Sequence, residues 1–440
     1  MAQARNVAIV VHEMIRHILE TKRPADRELS SFFRKNKKFG SRDRRLVSEA
    51  LYSIFRWWGW VGPRGRDEAR LWSQLSEDSA DDPAWIMILL GSHLLDGVGD
   101  PHPIALRWRD MLQDFQVPIH HVDCVGDRPL MERGEYIGEL FGLSTRNWKD
   151  LAPPWFFQHV PLPRQEQAGI IESFQSRPPI WLRVQNAPVA DVLASLKEAG
   201  LAPLTGEQVP TAIRLQSARI NLFELPSFRA GNFEVQDLAS QCIGLACQAT
   251  KGQRWWDVCA GAGGKSLQLG AMMQGQGLVV ATDIRSWKLE DLKKRARRSQ
   301  LSNITTREFS GEGIPSKKPT FDGVLVDAPC SCTGTWRRNP DARWTTRVED
   351  IAEMAEIQYG ILQNAIAALK PGGLLVYATC SVMEAENEAV VLRFLTEHPQ
   401  FKLDPIPHPL TGEPTNGQFR VWPTDADCDA TYVARLRLQG

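Results

Sequence analysis

The chain has 440 residues, 43% hydrophobic and 24% charged, with 52 basic side chains balanced by 52 acidic ones. That length argues two or three domains, each able to bury a core, and excludes disorder as the default. A net charge of zero excludes a uniformly basic nucleic-acid coat but leaves local basic faces open.

The first stretch, MAQARNVAIVVHEMIRHILE, interleaves Arg5, His12, Glu13 and Arg16 with apolar residues. It reads as an amphipathic helix and not as a signal peptide. The best apolar run, Ala84 to Leu95, contains His93 and is too short to span a bilayer. Eight scattered cysteines do not make a disulfide framework, so a reducing cytoplasm is expected.

Residues 1–150 carry apolar positions at helical spacing, as in Val7, Val11, Ile15, Ile18 and Leu19. Over residues 1–66 there are 15 Lys plus Arg against 6 Asp plus Glu. Much of the excess lies in Arg34, Lys35, Lys37, Lys38, Arg42, Arg44 and Arg45, close to Phe32, Phe33 and Trp57. This is either a solvated helix face or a stripe that meets phosphates.

Prolines at 153, 154, 161, 163, 178 and 179 mark a boundary near residue 150. Strands expected at 180–185 and 211–216, with a helix at 189–199 between them, make 151–235 a small α+β module. From 236 to 440 strand and helix alternate. Strands are expected at Trp255–Cys259, Leu278–Asp283, Ile304–Phe309, Phe321–Asp327, Gly373–Thr379 and Tyr432–Leu438. Helices are expected at 265–274, 287–299 and 350–369. The pattern predicts an α/β fold with a mainly parallel, doubly wound, Rossmann-like sheet.

The first of these strands runs into Cys259-Ala260-Gly261-Ala262-Gly263-Gly264-Lys265-Ser266. A phosphate-binding P-loop would need glycine where Cys259 stands. A dinucleotide fingerprint would need glycine or alanine where Ser266 stands. An S-adenosylmethionine loop needs a glycine turn and an acid ending the second strand, and Asp283 stands there. An acid at that point can equally cap a helix.

Asp327-Ala328-Pro329-Cys330-Ser331-Cys332 follows the fourth strand and Thr379-Cys380-Ser381 the fifth. Carboxyl ends of strands line the ligand crevice of an open α/β sheet, so Asp327, Cys330 and Cys380 are expected to meet there. Cys242 and Cys247, in an apolar stretch, read as packing. Cys330-x-Cys332 has no second ligand pair at zinc spacing, so no metal is expected. A thiolate that adds to the 6-carbon of a pyrimidine makes the 5-carbon nucleophilic. An acid such as Asp327 would steady ring nitrogen 3, and a second thiol would assist release. Spacing alone leaves the order of the two thiols open.

With these residues in view, the chain resembles the RsmB-type (Sun family) RNA cytosine-5 methyltransferases over almost its whole length. The 259–266 loop is similar to the family's CAAPGGKT, and Asp327-Ala328-Pro329-Cys330-Ser331 matches DAPCS. Arg337-Arg338-Asn339-Pro340-Asp341 resembles RRHPD. Lys370-Pro371-Gly372-Gly373 and Tyr377-Ala378-Thr379-Cys380-Ser381 match KPGG and YATCS. Glu386-Asn387-Glu388 matches ENE, and Val235-Gln236-Asp237-Leu238-Ala239-Ser240 looks like the family's VQD segment.

The resemblance implies that Cys380 attacks, Cys330 promotes release and Asp327 assists at the base. It implies S-adenosylmethionine held by Cys259, Ala260, Gly261, Ala262, Gly263, Gly264, Lys265, Asp283 and Asp327. It also implies a NusB-like helical RNA-binding domain over 1–150, an RNA-handling subdomain over 151–235 and the methyltransferase domain over 236–440. The implied partner is RNA, ribosomal RNA first and transfer RNA as the alternative, acted on by a cytoplasmic monomer. A silent ribosome-assembly scaffold is the rival outside enzymology. Arg337, Arg338 and Arg343 are expected at phosphates, with Trp336 and Trp344 stacking on bases. Two departures stand out. The family's acid after its third strand is replaced by Phe309-Ser310-Gly311-Glu312, and its DGFF-like run reads Cys428-Asp429-Ala430-Thr431-Tyr432.

Overall fold

A computed structural model describes residues 2–62, 82–144, 146–217, 220–309 and 318–440. Glu312 lies outside the described residues. The chain divides into two compact units. The first comprises Met1–Gln158, Leu162–Arg177 and Trp336–Thr346; the second comprises His159–Pro161, Pro178–Thr335 and Arg347–Gly440.

The first unit is helical. Its main helices are α1 (Ala2–Thr21), α2 (Ala25–Lys35), α3 (Ser41–Val61), α4 (Pro83–Asp96), α5 (Pro103–Asp114), α6 (Leu130–Phe141) and α7 (Arg164–Phe174). The apolar spacing of α1 puts Val7, Val11, Ile15 and Ile18 on one buried face, packed with Leu51, Ile54 and Phe55 of α3. α4 starts where Asp82 accepts the Ala84 N–H and Pro83 needs no donor partner. Arg34, Lys35, Lys37, Lys38, Arg42, Arg44 and Arg45, around the α2–α3 corner, are all exposed. Phe32, Phe33 and Phe39 pack edge to edge beneath them.

The second unit holds two sheets. Strands β1 (Ile180–Val184), β2 (Pro203–Thr205), β3 (Ala212–Leu215) and β4 (Phe233–Val235) form an antiparallel sheet in the order β2-β3-β1-β4. Helix α8 (Val189–Glu198) packs on it through Val192 and Leu196. Helix α9 (Leu238–Cys247) is capped by Asp237, and Gln248, left-handed at φ 47°, ends it.

The larger sheet contains β5 (Arg254–Asp257), β6 (Leu278–Asp283), β7 (Ile304–Glu308), β8 (Phe321–Asp327), β9 (Leu369–Thr379), β10 (Phe401–Leu403), β11 (Gln418–Val421) and β12 (Thr431–Leu438). Its order is β10-β12-β9-β8-β5-β6-β7, with β11 paired to β12. β5 to β9 are parallel, while β10, β11 and β12 pair antiparallel. Helices α10 (Gly264–Met272), α11 (Ser286–Arg298), α12 (Val348–Ala365) and α13 (Glu388–Glu397) connect or flank the strands. This is the expected Rossmann-like sheet. The expected strand at 255–259 stops at Asp257, because the chain turns into the glycine loop there. Among the described residues no helix is long and apolar enough to cross a membrane.

Candidate active site

The sheet reverses its laying order beside β5, with β6 and β7 on one side and β8 and β9 on the other. At such a reversal the loops part and leave a crevice at the carboxyl ends of the strands. Asp257, Asp283, Asp327 and Thr379 end the four strands nearest that point.

Val258 to Gly263 form the loop leaving β5, and Gly264 and Lys265 open α10. The Ala260 N–H donates to the Thr282 carbonyl and the Gly263 N–H to the Ala260 carbonyl, each at 2.8 Å. Gly261 and Gly263 are left-handed, at φ 54° and 84°. A Cβ on Gly263 would lie 2.0 Å from Leu292 Cδ1, so a side chain is excluded there, while at Gly261 nothing lies within 4 Å. The carbonyl of Ala262 accepts from Arg295 Nη1 at 2.7 Å, and burial pushes the Cys259 thiol up.

The Gly261 N–H donates to Asp283 Oδ2 at 2.8 Å, tying the loop to the end of β6. Burial opposes the Asp283 charge, but hydrogen bonds from Arg285 and Gly261 prevail and hold the carboxyl below its usual range. Beneath the loop, Asp257 Oδ2 accepts from Ser266 Oγ at 2.6 Å, while buried Oδ1 has no partner. Burial pushes Asp257 up to about 7.

These features fit S-adenosylmethionine. Open glycine backbone suits close approach, and a buried carboxylate at the second strand end suits a pair of ribose hydroxyls. Arg285 bonds both Asp283 oxygens, at 2.9 and 3.0 Å, but its side chain is 47% exposed and has solvent to turn into.

Lys265, the second residue of α10, points back across the crevice. Its Nζ lies 2.7 Å from Asp327 Oδ2 and donates to Ser240 Oγ at 2.9 Å. Burial opposes the ammonium, yet the Asp327 carboxylate outweighs it and raises the Lys265 pKa. The proton therefore stays on the lysine and the pair is ionic.

The two expected thiols meet. Cys330 Sγ is 3.3 Å from Cys380 Sγ. Cys332, left-handed at φ 56°, brings a third sulfur 4.0 Å from Cys330. All three lie within 4.8 Å of one another, compact enough for a soft cation to touch each. Hydrogen bonds with Cys332 and Cys380, together with burial, push the Cys330 thiol well up. For Cys380, the Cys330 hydrogen bond favours the thiolate, but Cys332 and burial outweigh it and the net direction is also up. Both are mainly protonated at rest.

Sequence reasoning gives no role to three groups seen at the site: Ser240 on Lys265, Arg285 on Asp283, and Glu386 beneath the cysteine loops. Glu386 is fully buried and accepts hydrogen bonds from Ser331 and Ser381, the residues that follow the two cysteines. Its signal is the Glu386-Asn387-Glu388 triplet, whose first acid precedes a largely apolar helix.

The expectations for Trp336, Arg337 and Arg343 are overturned. Trp336 is fully buried against Phe156, Phe174 and Trp155 of the first unit, so it offers no face for stacking. Arg343 is equally buried and donates to the carbonyls of Arg56, Leu151 and Phe174. Arg337 donates to the carbonyls of Ser176 and Arg177, and Trp344 Nε1 to that of Phe55. Arg337, Arg343 and Trp344 thus satisfy backbone acceptors inside the unit, as buried carbonyls require.

Residues 245–437 match the family model described as 16S rRNA methyltransferase RsmB/F. The ribosomal RNA small subunit methyltransferase B of Cronobacter sakazakii is 33% identical over 311 residues, covering 69% of this chain and 70% of that protein. The proteins of the same name from Pasteurella multocida and Klebsiella pneumoniae are 32% and 36% identical. The match to each of these two spans 66% of its length, just under two thirds. Among solved structures, PH0851 superposes with a TM-score of 0.73 over 98% of both chains at 24% identity. NSun6 from Pyrococcus horikoshii, solved with SFG, gives 0.56 over 63% of this chain and 95% of its own at 18% identity. These two likenesses speak to the fold.

Proposed function

The chain belongs to the RsmB/F methyltransferase family, and from that premise we propose that it methylates the 5-carbon of a cytosine in RNA, with small-subunit ribosomal RNA as substrate. The observation that carries this reading is the Cys330–Cys380 pair, 3.3 Å apart at adjacent parallel strand ends in the crevice that holds the Lys265–Asp327 ion pair. When bound, S-adenosylmethionine supplies an electrophilic methyl group. Asp283 and the backbone of Gly261 to Gly263 are the groups that would hold it.

Cys380 Sγ adds to the 6-carbon of the base, and the new C–S bond leaves the 5-carbon electron-rich. The Lys265 ammonium, close enough to Cys380 for their charges to interact, favours the thiolate needed for that step. The Cys380 thiol proton passes through Asp327 to ring nitrogen 3 as charge develops there, and the Asp327 carboxylate then accepts a hydrogen bond from the protonated nitrogen. After transfer Cys330, its own thiol proton given up to solvent, acts as the thiolate that takes the proton from the 5-carbon. The ring double bond re-forms, the bond to Cys380 breaks, and the proton on ring nitrogen 3 returns through Asp327 to the Cys380 sulfur. A separation of 3.3 Å serves either order of thiols, and the order adopted follows the family pattern.

The target base must be unstacked to reach Cys380, at a cost of roughly a few kcal/mol. The exposed cations at the α2–α3 corner are proposed to offset this through phosphates, which is the role a NusB-like domain over 1–150 would have. The test is labelled S-adenosylmethionine with unmodified small-subunit ribosomal RNA, digested to nucleosides. Label is expected in 5-methylcytidine. Cys380→Ala should give neither product nor adduct, whereas Cys330→Ala should accumulate a covalent protein–RNA adduct. An adduct with Cys380→Ala instead would reverse the thiol roles. No label in this RNA, with donor binding intact, would move the substrate to transfer RNA or leave a scaffold.

A further inference from the structure

The sheet does not hold the two thiols together. The β8–β9 ladder ends at Asp327 opposite Ala378, with a last bond from the Ala328 N–H to the Ala378 carbonyl. Beyond it the strands separate into loops of their own, one carrying Cys330-Ser331 and the other Cys380-Ser381. What crosses between these loops is polar, and a single carboxylate sits at its centre.

Glu386 Oε1 accepts from the Ser331 N–H at 2.8 Å and from Gln358 Nε2 at 2.9 Å. Its Oε2 accepts from the hydroxyls of Ser331 and Ser381. These two hydroxyls lie 3.2 Å apart, and the Thr333 hydroxyl sits 3.1 Å from that of Ser381. The next residue reinforces the arrangement. Asn387 Nδ2 donates to the Ser381 carbonyl at 2.9 Å, and its Oδ1 accepts from Thr379 Oγ1 at 2.6 Å. The Tyr377 hydroxyl donates to the Glu386 carbonyl, fixing the backbone that delivers the carboxylate. Glu386 is 0% exposed, so its four donors stand in for water.

We propose that Glu386 is a positioning residue that clamps Ser331 to Ser381 and thereby keeps Cys330 within reach of the carbon that Cys380 has attacked. It rests on the thiol reading above and assigns Glu386 to release. Attack needs one thiol and the base, whereas release needs both thiols on one ring in a fixed relation. Loosening the clamp therefore penalises release more than attack, because fixed geometry is what makes the second thiol effective.

Two measurements on the full-length chain separate this idea from the reading beneath it. Phenylarsine oxide bridges two nearby thiols, forming two As–S bonds and releasing one water, and requires no RNA. In a Cys332→Ser background the parent chain should bind one equivalent through Cys330 and Cys380, seen as a mass increase. Glu386→Ala should weaken that binding roughly tenfold or more, the scale of losing buried charge-assisted hydrogen bonds. Glu386→Gln can still accept from the Ser331 N–H and should recover most of it. The second measurement is covalent adduct on RNA, which should build up with Glu386→Ala and stay near the parent level with Glu386→Gln.

Unchanged arsenical binding in Glu386→Ala would overturn the proposal. So would weakened binding without adduct, when Cys330→Ala does give adduct. Weakened binding with no adduct from any variant, Cys330→Ala included, would keep the clamp and sink the reaction reading. Should Glu386→Ala not fold, Ser381→Ala removes one arm and should show the same two effects in smaller measure; no effect from it would refute the clamp.

Discussion

Trp336 offers a clear separation between packing and recognition. Its indole is fully buried, with ring centroids 5.0 Å from Phe156, 5.9 Å from Trp155 and 6.0 Å from Phe174. Replacing a buried aromatic by alanine removes the transfer energy of the ring and leaves a cavity, about 3–5 kcal/mol together. For a unit of this size, each kcal/mol lowers the midpoint by roughly 2–4 °C, so Trp336→Ala should melt about 6–20 °C lower. Trp336→Leu fills more of the space and removes Nε1, a buried donor without a partner, so its cost should be smaller. The decisive assay pairs calorimetry with RNA binding of the leucine variant. A base-stacking tryptophan would lose about 1–3 kcal/mol of binding on such a change. The buried geometry requires RNA affinity per folded molecule to stay the same. Trp336→Leu that melts normally yet binds RNA at least tenfold more weakly would refute the packing assignment.

Three further outcomes follow from the geometry. Replacing Lys35, Lys37 and Lys38 together by glutamine should flatten the salt dependence of RNA binding by about 0.7–0.9 for each phosphate no longer neutralised, with thermal stability nearly unchanged; an unaltered slope would remove this corner from the interface. Arg343→Lys keeps a cation but cannot reach the carbonyls of Arg56, Leu151 and Phe174 together, so denaturant titration should show a loss of about 1–3 kcal/mol. Asp257→Asn should stabilise the chain at neutral pH. The folded carboxyl titrates at about 7 against an ordinary 3.8, so between these values the folded state holds a proton that the unfolded chain has released. The parent's stability therefore falls as pH rises through that window and levels off above it. The advantage of asparagine should grow from near zero at about pH 4 to at most about 4 kcal/mol at about pH 8. Unfolding midpoints measured across that range check it, and a constant difference would contradict the assignment.

Much of the site is legible along the chain itself. Short apolar strands alternating with amphipathic helices specify a parallel sheet almost without regard to what packs on it, because each strand must be covered on both faces. Once the strands are placed, the rule that ligands gather at carboxyl ends puts Asp283, Asp327, Cys330 and Cys380 around one crevice. Gly263 is legible for a similar reason, since its left-handed turn is a local requirement; the Leu292 side chain pressed against it comes from α11 and is not. The segment after Asp327 misleads because nearness in sequence to Cys330 suggests nearness in role. Trp336 to Thr346 instead belongs to the first unit, where Arg337, Arg343 and Trp344 serve backbone carbonyls and Trp336 an aromatic cluster.

Local patterning is thus enough to specify the sheet, the crevice and the identity of the groups brought to it, because strand period, helix period and glycine turns depend on neighbours within a few residues. Which charges face water and which end inside depends instead on long-range packing. Arg34 and Arg343 are the same side chain in sequence, yet one is exposed and the other is sealed against three carbonyls. Glu386 likewise gains its place only when the loops after β8 and β9 close around it. The reason is physical: burial of a polar group is tolerated where its partners converge, and those partners come from distant parts of the chain.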